Sequence, residues 1–474
     1  MSIRKTIFDT IAVSTVNIFR LLAQFIAVPI LSRLLSPSDY GLVAMAMPFL
    51  LFAMVIADAG IGVSLVRTPL TERREWSTCF WLSVMLGAAL AAIMMALAPL
   101  FAMMFDEPRL TPIVMALALV VFIQSVCAIQ GAAMQQQQQF RLSAASETVA
   151  VAVSIITAVV VAKLGGGAWA LVFQQLSSYM VRVVLTLWFS PFRPQMVFDL
   201  SSVRGHIAFG KDVLGVNILG FIGRSIDNLV IGKVLSAAAV GVYSMAFQFA
   251  RLPSMLVSGP LQYVFYAKLA RVKENNKAIR HTFLLLTRVL AIVVFPAMGL
   301  VGVAYHSVFT VMLSAKWAPA GRIFMLVAAI CALQAVAALW GTIRMLLGRT
   351  DWQLRVTVES SILWLVTLFA TVRFGLDWLA IAYSIVNLLY MPRGLMLVLP
   401  LINCSYSEYI RVLLGPAFAT CCCIVAFLSL QHMFQWSDVA QLGFALLLAT
   451  IGMAAGASLQ WRSLAEEFMV LKTV

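Results

Sequence analysis

NIFRLLAQFIAVPILSRLLSPSDYGLVAMAMPF, Asn17 to Phe49, is an apolar run, a four-residue polar break at Ser36-Pro37-Ser38-Asp39, and a second apolar run. The first run is close to the roughly 20 apolar residues that a helix needs to cross a bilayer, and the second reaches that length when followed to residue 66. A shadow of the stretch returns 200 residues later, at Asn217 to Phe249. With that offset Asn17 matches Asn217, and likewise Ile18/Ile218, Ile26/Ile226, Leu35/Leu235, Ser36/Ser236, Gly41/Gly241, Met45/Met245, Ala46/Ala246 and Phe49/Phe249. Arg33/Lys233 adds a matched charge. An internal repeat of this kind sets the architecture.

Composition extends the reading to the whole chain. Of 474 residues, 62% are hydrophobic and 11% charged, where a soluble domain carries about 25% charge. Thr78–Phe105 and Val412–Trp436 contain no Asp, Glu, Lys or Arg. The fold class is therefore all-α: a polytopic integral membrane protein with about fourteen transmembrane helices. Expected spans are 10–34, 41–66, 78–105, 111–134, 147–163, 168–190, 206–232, 240–266, 282–305, 320–344, 358–373, 378–402, 410–431 and 439–460. The first run is too long for a signal peptide and lacks a clear small-residue cleavage site, so it reads as a retained span.

With the N-terminus placed in the cytoplasm, Arg4, Lys5, Arg73, Arg74, Arg141, Arg193, Arg204, Arg344, Arg349, Arg355 and Arg411 fall on the inner side. The basic run Lys268–Arg280 does so too. Only scattered cations such as Arg33, Arg109 and Lys316 fall outside. Lys and Arg excess marks cytoplasmic loops, so both termini are expected there. The same loops account for the net charge of +14 through attraction to anionic headgroups rather than nucleic acid.

The 200-residue offset spans an even number of helices, so both copies enter the membrane in the same direction. That makes a parallel repeat, whose lobes commonly flank a midplane site. The expected domains are an N-lobe (1–195, helices 1–6), a C-lobe (196–402, helices 7–12), and two further helices with a cytoplasmic tail (403–474). The boundary is placed in the basic linker Pro191–Gly205.

Ionisable groups inside spans are the best candidates for function. A central Arg or Asp costs about 2.5–3.5 kcal/mol on insertion scales, so it faces a cavity or a partner. Asn17, Arg20 and Gln24 share one face of the first span by their spacing of three and four. Asp58 could pair with Arg20 or exchange a proton. Asn217, Arg224, Asp227 and Asn228 lie in the seventh span, where Arg224 and Asp227 could neutralise each other. Arg251 stands before Pro253 with no acid within one turn. Arg393 follows Pro392 and is open to either reading, while Arg182 and Arg288 could snorkel. Pro29, Pro48, Pro253, Pro260 and Pro392 should kink their helices. This basic interior suits an anion, since guanidinium binds phosphate in bidentate fashion.

Seven cysteines and four histidines form no spaced metal pattern, and no P-loop or nucleophilic triad motif is present. No metal, cofactor or enzymatic activity is expected. The cysteines read as small buried hydrophobes.

Four segments carry a resemblance. They are ILSRLLSPSDYGLVAMAMPF at 30–49, DAGIGVSLVR at 58–67, GGAWALVFQQ at 166–175, and SIDNLVIGKVLSAAAVGVYSMAFQFARLP at 225–253. They resemble the bacterial oligosaccharide flippases, the Wzx-type polysaccharide transporters of the multidrug/oligosaccharidyl-lipid/polysaccharide exporter superfamily. The likeness covers roughly residues 1–400. It implies two six-helix lobes around a cavity, alternating access, and driving by a cation gradient or the membrane potential. The implied cargo is an undecaprenyl-pyrophosphate-linked glycan, moved across the bacterial inner membrane for exopolysaccharide, capsule or O-antigen assembly. Membrane lipids, a polysaccharide polymerase and a chain-length regulator are the implied partners. Essential cavity arginines of such proteins match Arg20, Arg224 and Arg251 by residue type and depth only. Asn17, Gln24, Asn217 and Arg393 could line the cavity, and Asp58 or Asp227 could couple an ion. The alternative is a drug/cation antiporter of the same superfamily, which should carry more membrane acids than arginines.

Overall fold

The computed structural model describes residues 23–58, 61–66, 68–206, 214, 226–269, 275–433 and 436–461. Every regular element among them is helical. The first seven helices are α1 (Ala23–Leu34), α2 (Pro37–Asp58), α3 (Ile61–Leu65), α4 (Arg73–Phe105), α5 (Leu110–Gln136), α6 (Phe140–Lys163) and α7 (Trp169–Phe189). Then come α8 (226–234), α9 (Ala237–Ala250), α10 (Gly259–Leu269), α11 (Asn276–Val303), α12 (Tyr305–Met312) and α13 (Ala318–Leu346). The last are α14 (Thr350–Thr371), α15 (Leu376–Val398), α16 (Tyr406–Met433) and α17 (Asp438–Leu459). Among the described residues, 11 helices are long and apolar enough to cross a membrane. The chain is a multi-pass membrane protein.

Helix ends follow local chemistry. Ser36 is the residue before α2, with Pro37 in the first helical position, where its missing N–H costs nothing. Ser36 Oγ accepts from Asp39 N at 3.2 Å, and an Asp39 carboxylate oxygen accepts from Ser36 N at 2.8 Å. These two residues satisfy each other's orphan donors as a capping box does. In the second copy, Ser236 Oγ accepts from Ala239 N at 3.2 Å and so caps α9. The repeated serine is thus a helix start used twice.

The second expected span is helical at Pro37–Asp58 (α2) and at Ile61–Leu65 (α3). The eighth is interrupted after Pro253 by a π-turn, Ser254–Ser258, before α10 begins. Proline lacks the donor that the regular ladder needs, and a wider turn restores the register. Ser258 Oγ then donates to Ala335 O at 2.8 Å, which ties this turn to α13.

By internal packing the chain forms two units, Met1–Gly241 and Val242–Val474. In the first, α4 packs along α5 and α6 along α7. The segment 191–206, expected as a linker, is packed onto α4. Gln195 N donates to Ser77 Oγ (3.1 Å), Asp199 N to Thr78 Oγ1 (3.0 Å), and Trp81 Nε1 to Gln195 O (2.9 Å). Phe192 and Val203 are buried with Leu65, Trp76, Phe80 and Ile129 in one apolar cluster. A Ser201 hydroxyl and N–H on the Asp199 carboxylate hold that group below the usual carboxylate range.

Also within this unit, the two copies of the repeated turn meet. A Cβ added to Gly41 would strike Ala237 O, and one added to Gly241 would strike Pro37 O. Residues 37 and 237, like 41 and 241, are equivalents at the 200-residue offset. The contact is therefore reciprocal, and small residues four apart permit the close backbone approach.

In the second unit, α11 packs on α13 and α16, while α14 and α15 pair as a hairpin beside α13. Its fully buried side chains include Phe283, Phe309, Trp317 and Phe324. Cys79, Cys127, Cys331, Cys404 and Cys423 are buried as expected, but Cys421 and Cys422 lie on an exposed face of α16. In a membrane protein such a face meets lipid, which a thiol tolerates.

Candidate functional site

The second unit carries a polar crevice between α13, α14 and α15, helices that are otherwise apolar. Tyr383, Asn387 and Tyr390 stand on one stripe of α15 by their spacing of four and three. Tyr383 OH donates to Gln334 Oε1 on α13 (3.0 Å), Gln334 Nε2 donates to Asn387 Oδ1 (2.9 Å), and Asn387 Nδ2 donates to Tyr383 O (2.8 Å). The loop of bonds closes on itself, so these half-buried amides escape the desolvation penalty of an unmatched polar group. The Tyr383 ring meets Trp364 edge-on at 5.0 Å and Phe247 at 5.2 Å. Arg251 lies 5.8 Å above the Phe247 ring, in the range of a cation–π contact.

Toward the α14 N-terminus the crevice becomes charged. Tyr390 OH donates to Glu359 Oε2 at 3.0 Å. Arg393 sends Nε and Nη2 to the two Glu359 oxygens at 3.4 Å each, a loose fork. Arg355 stands one turn before Glu359 on α14. On α13, Arg344 is 4% exposed, and its Nε donates to Gln353 Oε1 at 2.9 Å. Among the described residues Arg344 Nη1 has no hydrogen-bond partner.

The first unit is different. Its cavity, of about 500 Å³, lies between α2 and α4 and closes against Leu229 of α8. Phe49, Phe52, Ala53, Met94 and Phe101 are among its apolar walls. The described charged groups of this unit are placed elsewhere. Asp58 is exposed at the end of α2. Asp227 is buried on α8, where an Oδ1 accepts from Asn228 N at 3.0 Å. Asn228 Nδ2 in turn donates to Ala44 O at 3.4 Å. Arg182 pairs with Glu147 at 3.2 Å, so its partner is an acid rather than a headgroup. His206 joins Ser64 (Nδ1 to Oγ, 2.8 Å) to Glu75 (Nε2 to Oε2, 3.2 Å).

Of the residues singled out in sequence, Asn17, Arg20, Asn217 and Arg224 lie outside the described residues. Gln24 is exposed on α1. Arg251 and Arg393 both belong to the second unit and edge the same crevice. Arg288, on α11, is buried. Arg344 and Arg355, counted as loop cations by hydropathy, belong to helices, and Glu359 and Tyr390 carried no expectation. Two signals pointed to them: the 383/387/390 stripe, and an acid four residues after Arg355. The Ser64–Glu75–His206 cluster has no such signal, since His206 is more than 130 residues from Glu75.

The family profile described as "Polysaccharide biosynthesis protein" matches residues 30–322. The teichuronic acid biosynthesis protein TuaB of Bacillus subtilis (strain 168) is 26% identical over 414 residues, covering 86% of this chain and 84% of that protein. The lipopolysaccharide biosynthesis protein WzxC of Escherichia coli (strain K12) is 24% identical, covering 86% and 83%. The succinoglycan biosynthesis transport protein ExoT of Rhizobium meliloti (strain 1021) is 25% identical, covering 64% and 62%. In architecture the chain is similar to the lipid II flippase MurJ in an inward closed conformation, with TM-score 0.77, 14% identity, and 96% and 100% coverage. It is also similar to an inward-facing multidrug resistance MATE family transporter of the MOP superfamily, with TM-score 0.60, 16% identity, and 81% and 96% coverage. The chain belongs to the polysaccharide biosynthesis protein family, in agreement with its resemblance to the Wzx-type transporters.

Proposed function

We propose that the protein is a flippase for lipid-linked oligosaccharide. It carries undecaprenyl-pyrophosphate-linked repeat units from the inner to the outer leaflet of a bacterial plasma membrane by alternating access. The observation that carries this reading is the crevice of the second unit. Arg251, Gln334, Tyr383, Asn387 and Arg393 gather polar and cationic groups inside apolar spans. Such groups are costly in hydrocarbon and mark a substrate path. Amides and phenols suit sugar hydroxyls, which both donate and accept. Guanidiniums suit the pyrophosphate.

In this reading Arg251, with Arg20 and Arg224, holds the pyrophosphate, and the aromatic and amide groups beside Phe247 hold the first sugars. Gln24, Asn17 and Asn217 line the path. The polyprenyl tail stays in lipid. Asp58 or Asp227 takes the coupling proton, and both termini face the cytoplasm, where the basic loops meet anionic headgroups. The glycan then passes to a polymerase and chain-length regulator. The test is polysaccharide output in a host lacking its own transporter of this kind. Arg251→Ala, expressed at wild-type level in the membrane, should cut output at least ten-fold, and Arg251→Lys should restore part of it. Unchanged output in Arg251→Ala would remove Arg251 from the path.

A further inference from the structure

The α13–α15 crevice holds more positive charge than its one acid balances. Among the described residues Arg393, Arg355 and Arg344 lie around Tyr390 and one carboxylate, that of Glu359. An ion pair sealed for structure would be short and matched. Here the fork is stretched to 3.4 Å on both arms. Arg393 and Glu359 keep 43% and 35% of their side-chain surface open. Arg344 is held inward by Gln353 with Nη1 unused. Among the described residues this buried cation has no counter-charge, which is expensive, so its retention calls for an anion that visits.

The depth fits a lipid phosphate. Glu359 lies nine residues into α14 and Arg393 five residues before the end of α15. At 1.5 Å per residue this is about 13 and 8 Å from the same end of the hairpin. Both depths fall within the outer half of a roughly 30 Å hydrocarbon core. The hairpin flanks are apolar and exposed at Leu354, Val358, Ile362, Leu388 and Leu389. A lipid in the adjoining leaflet could therefore bring its phosphate to the crevice while its chains remain in hydrocarbon.

We infer that the Arg344/Arg355/Arg393–Tyr390 cluster is an entry site for the phosphate of a polyprenyl-linked substrate, and that Glu359 is its internal placeholder. The carboxylate occupies the guanidinium fork and the Tyr390 hydroxyl until a phosphate, with more charge and more acceptor oxygens, displaces it. This rests on the lipid-linked reading above and adds a loading step ahead of Arg251.

The test uses the full chain in detergent and farnesyl pyrophosphate as the probe, with farnesol and phosphatidylglycerol in parallel arms. Glu359→Gln should tighten farnesyl pyrophosphate several-fold, because the competing charge is gone. Arg393→Ala should weaken it about ten-fold, the worth of one charge-assisted bond. Tyr390→Phe, which keeps the packing, should weaken it less, and farnesol should not bind. Weaker or unchanged binding in Glu359→Gln would reduce Glu359 to an ordinary ion-pair partner and overturn the site. Equal binding of farnesol would assign the probe to its tail. Displacement by phosphatidylglycerol at equal concentration would assign the cluster to bulk lipid and overturn the carrier role. Binding is read without transport, so the two readings fail separately. An inert Glu359→Gln with export still dependent on Arg251 sinks the entry site alone. A responsive Glu359→Gln with export indifferent to Arg251 sinks the transport role of Arg251 alone.

Discussion

The first unit's cavity between α2 and α4 and the second unit's polar groups between α13, α14 and α15 both lie among apolar helices, and their surroundings are opposites. Phenylalanine, methionine and aliphatic side chains line the former. Tyrosine, glutamine, asparagine and a charged cluster line the latter. The repeat that relates residues 17–49 to 217–249 did not carry chemistry with it: at the 200-residue offset Arg20 meets Gly220, Asp58 meets Ser258 and Gln24 meets Arg224. What it carries is helix starts and close backbone approach. Under the proposed function, a cargo with a sugar head and a hydrocarbon tail needs unlike surfaces on a like frame.

The largest effect should come from breaking the shared frame. Gly41→Val puts branched carbon against the Ala237 carbonyl, which is backbone and cannot rotate away. Overpacking of this kind costs about 3 kcal/mol or more. Little folded protein should survive size-exclusion chromatography in detergent. Gly131 on α5 has open space around it, so Gly131→Val should fold normally. Equal behaviour of the two would remove the glycine contact from the frame.

Next comes the contrast in linings. Ala53, buried in the wall of the apolar cavity, should not accept a carboxylate. Ala53→Asp should cost about 2.5–3.5 kcal/mol, the insertion cost of an unpaired charge. Asn387→Asp puts the same charge among polar groups, where Gln334 Nε2 still donates to it but the Nδ2 bond to Tyr383 O is lost, and should cost about 1–2 kcal/mol, less than Ala53→Asp. Thermal unfolding in one detergent compares them, and a reversed order would show that the crevice is drier than its residues suggest.

A smaller effect is expected at the packed segment 191–206. Thr78→Val removes the oxygen that accepts from Asp199 N. The cost should be about 1–2 kcal/mol, that of a donor left without its partner. Limited proteolysis should then cut near Asp199 faster than in the wild type. An unchanged cleavage rate would mean that Phe192 and Val203 hold the segment unaided.

Sequence reading was strong where hydrophobicity alone decides and weak where polar groups satisfy one another. The third to sixth and ninth to fourteenth expected spans correspond to α4–α7, α11 and α13–α17. Their length and sparse charge mark them as spans. The eleventh was drawn too short, from residue 358 rather than Thr350. Gln353, Arg355 and Thr357 lower the hydropathy of its first turns, yet Gln353 is satisfied by Arg344 and Thr357. The same blindness placed Arg344 in a loop. Segment 191–206 resembles a linker in its Pro, Arg and Ser content. Its anchors, Ser77 and Thr78, lie more than 100 residues away, where no local pattern can reveal them. At the site, Arg393 was legible as an in-span cation, but Glu359 and Tyr390 gain meaning only through contacts between helices.

The finest comparison is between the two copies of the repeated serine. Ser36 and Ser236 both stand before a helix and both accept from the N–H three residues on. Only the first copy is reciprocal. Asp39 takes both the N–H and the hydroxyl of Ser36, at 2.8 and 2.6 Å, whereas Ala239 has nothing to return. Loss of an N-cap serine costs about 0.5–2 kcal/mol. Ser236→Ala should fall at the low end of that range and Ser36→Ala at the high end, read as shifts in thermal midpoint. Because Ser36 and Asp39 act through one closed pair of bonds, Asp39→Ala should cost nearly as much as Ser36→Ala. The double variant should then cost little more than either alone, the signature of coupled residues. Simple additivity would mean that Asp39 works through another contact, and the Arg109 charge that bears on it is the first to examine.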